Sequence, residues 1–266
     1  IVFRMGVKGA ALATVLAQGI SGLCCLWYIG KRFPILRGTK EEWKPLPKYM
    51  IRLCAVGIPM GMQYSITAIG TLVIQAAVNG FGSTVVAGVT AATKLGNFVS
   101  CPIEALGQTM APYVGQNMGA GNTERAKKTF HYSLKMCTLF LLILGFIFSR
   151  RPVSQTMVSF FSTDAKVIPL AADYLSIIAF WCFTNAFYNV SQGLFQGCGH
   201  TLITMLVDAS RIWLFRLLSL WICANVFHMG VASVWYSVVI SNGTSAIILY
   251  LLYWTGIWKK GYADPL

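Results

Sequence analysis

The most constraining feature of the sequence is a series of long apolar runs. A helix needs about 20 consecutive apolar residues to cross a bilayer. Seven runs of roughly this length follow one another, at 7–29, 52–79, 86–116, 126–149, 167–196, 201–226 and 231–258. Hydrophobic residues make up 56% of the chain and charged residues 11%, which is outside the usual range for soluble domains. The sequence therefore predicts an all-α, polytopic membrane protein with seven transmembrane helices.

The basic residues are concentrated between these runs. Lysine and arginine number 21 and aspartate and glutamate 8, which gives a net charge of +13. Thirteen of the basic residues lie on one predicted side of the membrane, within 31–52 and 125–135 and at 259 and 260, and five lie on the other side. The positive-inside rule then predicts that the C-terminus lies in the cytoplasm, and we expect a multi-pass protein of the plasma (inner) membrane. The partner of these charges is the lipid bilayer rather than nucleic acid.

The residues that mark metal sites and common catalytic sites are missing from the sequence. Its eight cysteines are scattered through the apolar runs without a CxxC pair, which predicts small residues of membrane helices rather than metal ligands or disulfides. The chain has no HExxH and no GxSxG motif, and no histidine is paired with a nearby carboxylate. We therefore expect no metal, no cofactor and no enzymatic activity.

The third apolar run carries two charges in its middle, Lys94 and Glu104. Each costs at least a few kcal/mol in hydrocarbon. At 100° per residue, the polar residues of this run share an arc of roughly 80°. This polar stripe consists of Thr90, Lys94, Asn97, Cys101, Glu104 and Gln108. Two interpretations are open: a polar seam that joins helices, or the wall of a water-filled cavity in which Glu104 binds a proton or a cation. The second is favoured because ionisable residues inside membranes mark transport pathways.

The fifth run carries a second polar stripe along one side, and the second run contributes further polar residues. A shared cavity is more consistent with two such stripes than isolated seams are. The predicted wall of the cavity consists of Gln63, Thr67, Lys94, Asn97, Glu104, Gln108, Trp181, Asn185, Tyr188, Asn189 and Gln192. Trp181 and Tyr188 can contact flat cations through cation–π attraction.

Three further patterns concern helix contacts. Asp208 and Arg211 are three positions apart in the sixth run, which predicts a structural ion pair. GxxxG spacing at Gly57 and Gly61 and again at Gly193 and Gly197 predicts close helix contacts.

One internal repeat is visible. A shift of 224 residues places Met5-Gly6-Val7 on Met229-Gly230-Val231, so that the first and last runs are copies of one element. Many transporters consist of duplicated halves. We therefore predict four regions in the chain and a missing N-terminal lobe of the same protein. The regions are the last helix of that lobe at 1–30, a cytoplasmic inter-lobe linker at 31–51, a six-helix C-terminal lobe at 52–260 and a cytoplasmic tail at 261–266.

Four segments carry a resemblance to a known family: GVKGAALATVLAQ, GIPMGMQ, ATKLGNFVSCPIEALGQTMAPYVGQNMGAGNTERAKK and LFQGCGHT. In this order they resemble the multidrug and toxic compound extrusion (MATE) family over nearly the whole chain. The resemblance implies twelve helices in two lobes. It also implies an antiporter that exports small organic, often cationic, compounds while protons or sodium ions enter. The resemblance also implies that branches with an ion site in the C-terminal lobe carry carboxylates where this chain has Thr67 and Asn185, neither of which can titrate. Glu104 is then the best candidate carboxylate in this lobe, and the alternative is a coupling site in the missing N-terminal lobe.

The expected mechanism is alternating access between the two lobes. Two other functions stay open at this stage. A lipid-linked or polysaccharide flippase of the related superfamily would be expected to have more cationic residues in its cavity than Lys94 alone. A seven-helix receptor is suggested only by the number of runs, and the internal repeat opposes it.

Overall fold

The chain is helical throughout the part that the structure describes. The computed structural model describes residues 6–33, 46–160, 164, 167–181 and 183–260, and these ranges contain helices and short turns without a β-strand. The α-helices described are α1 Gly6–Arg32, α2 Pro47–Asn79, α3 Ser83–Gly119, α4 Thr123–Phe148, α5 Arg151–Ser159, α6 Val167–Trp181, α7 Phe183–Gly197, α8 Thr201–Ala209, α9 Leu217–Asn225 and α10 Ala232–Trp254. A π-helical segment, Ser210–Arg216, joins α8 to α9, and a 3₁₀ turn, Ile257–Lys259, follows α10.

Each apolar run is helical to within about five residues of its predicted bounds; the fifth run contains α6 and α7, the sixth contains α8, the π-helical segment and α9, and one helix is an addition. The short helix α5 was not predicted, because its nine residues, RPVSQTMVS, are too few and too polar to stand out as a run. In the described ranges, four helices are long and apolar enough to cross a membrane: Ala11–Arg32, Pro47–Asn79, Thr123–Phe148 and Ala232–Trp254. The count of seven membrane spans therefore stays a prediction.

The chain divides into two compact units, Ile1–Leu53 and Cys54–Leu266. The first unit contains α1 and the beginning of α2. The second contains the rest of α2 and all later helices, and every predicted cavity residue belongs to it. The fold of this second unit is what positions the site.

Two hydrophobic clusters form the core of the second unit. One joins the second half of α3 to α4, α7 and the end of α10, around Phe130, Leu194 and Leu249. The other joins the end of α2 and the start of α3 to α6, α9 and the start of α10, around Ala171 and Leu220. Polar residues of α3 and α10 fall between the two clusters along each helix.

Glycines allow α3 and α7 to approach closely. A Cβ atom added to Gly197 would lie 2.5 Å from the carbonyl oxygen of Ala111, and one added to Gly107 would lie 3.0 Å from that of Asn189. Gly193 faces Gly107 in the same interface. The close contact predicted from Gly193 and Gly197 is therefore confirmed, and it brings the two polar stripes side by side.

The same spacing in α2 has a different outcome. No neighbouring atom of the described chain lies within 4 Å of a Cβ atom added to Gly57 or Gly61. The close contact predicted there is wrong for the described part of this chain, because the GxxxG spacing makes a helix face flat without providing a partner for it.

Serines let α10 pack tightly in the same way. Four serines at four-residue intervals are fully buried on one face of the helix: Ser233, Ser237, Ser241 and Ser245. Each hydroxyl donates to a backbone carbonyl three or four residues earlier. This serine face of α10 is therefore small in volume, and its hydroxyl donors are all satisfied, which suits close contact between membrane helices.

Candidate functional site

The polar stripe of α3 lies on the exposed side of that helix. All six stripe residues are exposed in this chain, whereas Leu95, Ile103 and Met110 on the opposite side are buried. The stripe is therefore not a seam between the helices that the structure describes. It is a polar face that the second unit presents outward.

Glu104 lies where two polar cavities meet. The first cavity, of about 270 Å³, is lined by α3, α6, α7 and α10, and its polar residues include Asn97 and Asn242. The second, of about 400 Å³, is lined by α2, α3, α7 and α8. Glu104, Asn185 and Arg211 line both cavities. Because these residues are shared, the two cavities meet at Glu104.

Ten of the eleven residues that the sequence predicted for the cavity wall line one or both of these cavities. They are Gln63, Thr67, Asn97, Glu104, Gln108, Trp181, Asn185, Tyr188, Asn189 and Gln192. Lys94 is the exception: it is exposed and lines neither cavity. Thr93, the neighbour of Lys94, lines the first cavity, so Lys94 is excluded by its side of the helix and not by its height. Lys94 and Glu104 lie at opposite edges of the arc, roughly 80° apart.

The carboxylate of Glu104 is open to a ligand. Glu104 is exposed, and no ion pair joins it to Lys94 or to another described residue. A carboxylate in this position can accept a proton, a sodium ion or a donor group of an organic cation.

Asp208 is held very differently. It is 4% exposed and receives hydrogen bonds from Gln63 of α2 and from Tyr188 and Gln192 of α7. The Gln192 amide nitrogen lies 3.1 Å from its Oδ2, and Arg211 Nε lies 3.1 Å from its Oδ1. The predicted pair of Asp208 and Arg211 is thus present, but it is the centre of a larger cluster that the sequence analysis missed. The signal available in the sequence was the acidic residue itself, inside an apolar run.

Arg211 connects this cluster to the cavities. One of its terminal nitrogens donates to Asn242 Oδ1 at 3.2 Å, and its guanidinium lies 4.8 Å from the centre of the Tyr188 ring. It belongs to the π-helical segment, and such segments occur frequently at functional sites. The positive charge on the cavity wall is therefore Arg211 rather than Lys94.

The two asparagines of α7 support each other. The amide of Asn189 donates to the backbone oxygen of Asn185 at 2.9 Å and to its side-chain oxygen at 2.8 Å. Asn185, at which the resemblance implies a carboxylate in some branches of the family, is thus a neutral amide that accepts hydrogen bonds from within its own helix. The nearest accessible acid in these cavities is Glu104.

An apolar cavity adjoins the first polar cavity. It has a volume of about 710 Å³, lies between α7 and α10, and is lined by aromatic residues such as Phe187, Tyr236 and Tyr250. Trp181 lines both this cavity and the first polar one. An apolar pocket next to a few polar groups is the usual form of a small-molecule site. In the described ranges, no group of three or more histidine, cysteine or acidic side chains could hold a metal ion.

Comparisons with known proteins agree on one family. The family model described as MatE matches residues 59–222, which is more than half of the chain. Probable multidrug resistance protein YpnP of Bacillus subtilis is 27% identical over 270 residues, which covers 97% of this chain and 57% of that protein. Probable multidrug resistance protein NorM of Thermotoga maritima is 23% identical over 259 residues and covers 97% of this chain and 55% of its own length.

The fold also matches solved structures. A crystal structure of MATE in the straight conformation superposes with a TM-score of 0.86 at 20% identity, covering 99% of this chain and 59% of that one. The chain spans a little over half the length of the relatives it matches. MATE proteins are transporters rather than enzymes and are multi-pass proteins of the cell membrane. The match of the family model over most of the second unit leads to one conclusion: the chain belongs to the MatE family of multidrug and toxic compound extrusion transporters.

Proposed function

We propose that this chain is part of an antiporter that exports small organic compounds while protons or sodium ions enter. The observation that carries the proposal is the position of Glu104, an exposed carboxylate on the polar face of α3 between two polar cavities. Against lipid this face would be costly. Opposite a second lobe it becomes the wall of a wet pathway.

The proposed architecture follows the internal repeat and the length of the relatives. Residues 1–30 form the last helix of an N-terminal lobe, 31–51 the inter-lobe linker, 52–260 a six-helix C-terminal lobe and 261–266 a tail. The relatives are nearly twice as long as the part that this chain covers, which leaves room for a second lobe, and the internal repeat is the reason for proposing it on the N-terminal side. The excess of basic residues in these connections supports a cytoplasmic linker and a cytoplasmic C-terminus.

Transport would occur by alternating access. A ligand shifts an equilibrium between two conformations only by its difference in affinity for them. Occupation of Glu104 by an ion or by an organic cation is the proposed source of that difference. The apolar cavity would take the hydrophobic part of the compound, and Trp181, which lines both this cavity and the first polar one, would contact a flat cationic group. The Tyr188 ring is buried against Arg211 and forms part of the wall of the second polar cavity.

The charge of the cavities favours this function over a flippase of anionic lipid-linked sugars. The described cavity wall contains one arginine, and Asp208 neutralises it. Lys94 lies outside both cavities. The wall therefore has no excess positive charge to hold an anionic substrate.

The direct test is Glu104→Gln in the full-length protein, assayed by efflux of a fluorescent cation. Loss of a charged hydrogen bond costs about 1.5–3 kcal/mol, so we expect efflux to fall about tenfold or more and its ion dependence to disappear. Glu41→Gln, in the predicted linker and outside the described residues, is the matched control and should leave efflux unchanged. Wild-type efflux and ion dependence in Glu104→Gln would remove Glu104 from the coupling role.

A further inference from the structure

The exposed face of α4 changes from basic to apolar along its length. Lys128, Tyr132 and Lys135 are exposed in its first half. The second half of the same face exposes large apolar side chains: Met136, Leu139, Ile143 and Phe146. None of the transport steps proposed above uses this surface.

These groups share one side of the helix. At 100° per residue, positions 128, 132, 135, 139, 143 and 146 fall within an arc of roughly 80°. The opposite side of α4 is buried in the core through Ala126, Phe130, Leu134, Cys137 and Leu141. The change from basic to apolar side chains therefore occurs on the exposed side of α4, away from its core contacts.

The basic half forms a shallow site. A cavity of about 360 Å³ is lined by Glu124, Lys127, Lys128, His131, Tyr132 and Lys135. Three ammonium groups face one carboxylate, and no ion pair joins any of these three lysines to a described residue. The neighbouring Arg125 is engaged elsewhere, because its Nε donates to the Tyr113 hydroxyl at 3.0 Å. The site thus keeps a net positive charge that is available to a ligand.

We propose that this surface, the α4 lipid site, binds an anionic phospholipid. Lysines bind phosphate groups as point charges, and basic pockets at the cytoplasmic side of membrane helices attract anionic headgroups. Tyr132, 71% exposed, lies among the lysines and next to the apolar half of the face, which suits the preference of tyrosine for the membrane interface.

The length of the apolar half fits this ligand better than free phosphate. From Lys135 to Phe146 the helix rises about 16 Å, close to the thickness of one leaflet of a hydrocarbon core of about 30 Å. The acyl chains of a phospholipid held by the lysines would lie along Met136, Leu139, Ile143 and Phe146. Inorganic phosphate would use the lysines alone and leave this stripe without a role.

Native mass spectrometry of the purified full-length protein with added lipid tests the proposal. We expect adducts with cardiolipin to exceed those with phosphatidylethanolamine at equal concentration. Because each basic residue near an anionic surface contributes about a fivefold change in affinity, K127Q/K128Q/K135Q should lose this preference. The charge-conserving variant K127R/K128R/K135R should retain it, which separates loss of charge from loss of folding.

The matched control removes three basic residues elsewhere, as K48Q/R52Q/K260Q, and should keep the preference for cardiolipin. Equal loss in this control would overturn the site in favour of diffuse charge attraction. Equal binding of phosphatidylethanolamine and cardiolipin by the wild type would overturn it as well. Displacement of cardiolipin by inorganic phosphate at the same concentration would show a phosphate site and not a lipid site.

Discussion

Two carboxylates of the second unit have opposite environments. A carboxylate offers about four lone-pair positions to donors, and Asp208 receives four donors from α2, α7 and the π-helical segment. Glu104 lines both polar cavities and is exposed. We infer that Asp208 anchors three parts of the lobe, whereas Glu104 exchanges ligands.

This division of roles predicts the behaviour of Asp208→Asn. The variant leaves Arg211 half-buried without a countercharge, and breaking a buried pair in this way costs about 3–5 kcal/mol. We expect a clear fall in the unfolding temperature of the detergent-solubilised protein, measured by intrinsic fluorescence. Glu104→Gln should unfold close to the wild-type temperature. A stable Asp208→Asn protein that has lost ion coupling would instead make Asp208 the transport acid.

Among individual residues, the sequence predicted the polar stripe of α3 but not the hydrogen-bond cluster around Asp208. The stripe follows from helix geometry alone, since its six members lie on one helix. The cluster joins Gln63 to Asp208, which are 145 residues apart, and no local pattern reports such a contact. Lys94 lines neither cavity although its neighbour Thr93 lines the first, because Lys94 lies at the edge of the stripe's arc away from Glu104. The sequence of one helix does not say which edge of a stripe faces the neighbouring helices.

Among the elements, the contact between α3 and α7 sets the geometry of both cavities. Gly107, Gly193 and Gly197 bring the two helix backbones together, and each helix contributes polar residues to the resulting walls. Any side chain inserted in this interface separates Glu104 from Asn185.

Gly197→Ala therefore has a predicted cost. The new Cβ atom would lie 2.5 Å from the carbonyl oxygen of Ala111, and overpacking of this kind costs about 1–3 kcal/mol. We expect a lower unfolding temperature and reduced efflux.

Gly57→Ala is the matched control on α2. It meets no neighbouring atom within 4 Å, and alanine is the better helix former by up to about 1 kcal/mol. It should be neutral or slightly stabilising in the same unfolding assay. Equal effects of the two variants would contradict the assigned interface.

The length of the apolar runs predicted the helices well, because a helix that crosses a bilayer needs about 20 apolar residues and few soluble folds contain such long runs. It did not predict α5, which is short and polar. The identical GxxxG spacing of α2 and α7 had different outcomes, because the partner of a flat helix face is decided by the tertiary fold. The sequence identifies the flat face of a helix but not the helix that packs against it.

At the scale of the whole molecule, the chain belongs to the MatE family and spans a little over half of its relatives. The exposed polar face of α3 is the feature of the second unit that most requires a partner. The exposed faces of α4 and α3 differ in kind: α4 presents Leu139 and Phe146, whereas α3 presents Asn97, Glu104 and Gln108. The first suits lipid and the second suits water.

The most direct test of this account is the rate at which a water-soluble maleimide labels single cysteines in the membrane-embedded, full-length protein. The native Cys101 is exposed on the stripe and can be compared with Asn97→Cys and Gln108→Cys, each in a background without other cysteines. We predict rapid labelling at these three positions and slow labelling at Leu139→Cys and Phe146→Cys, which are exposed on α4. Labelling of the stripe no faster than that of α4 would contradict a water-filled pathway along α3.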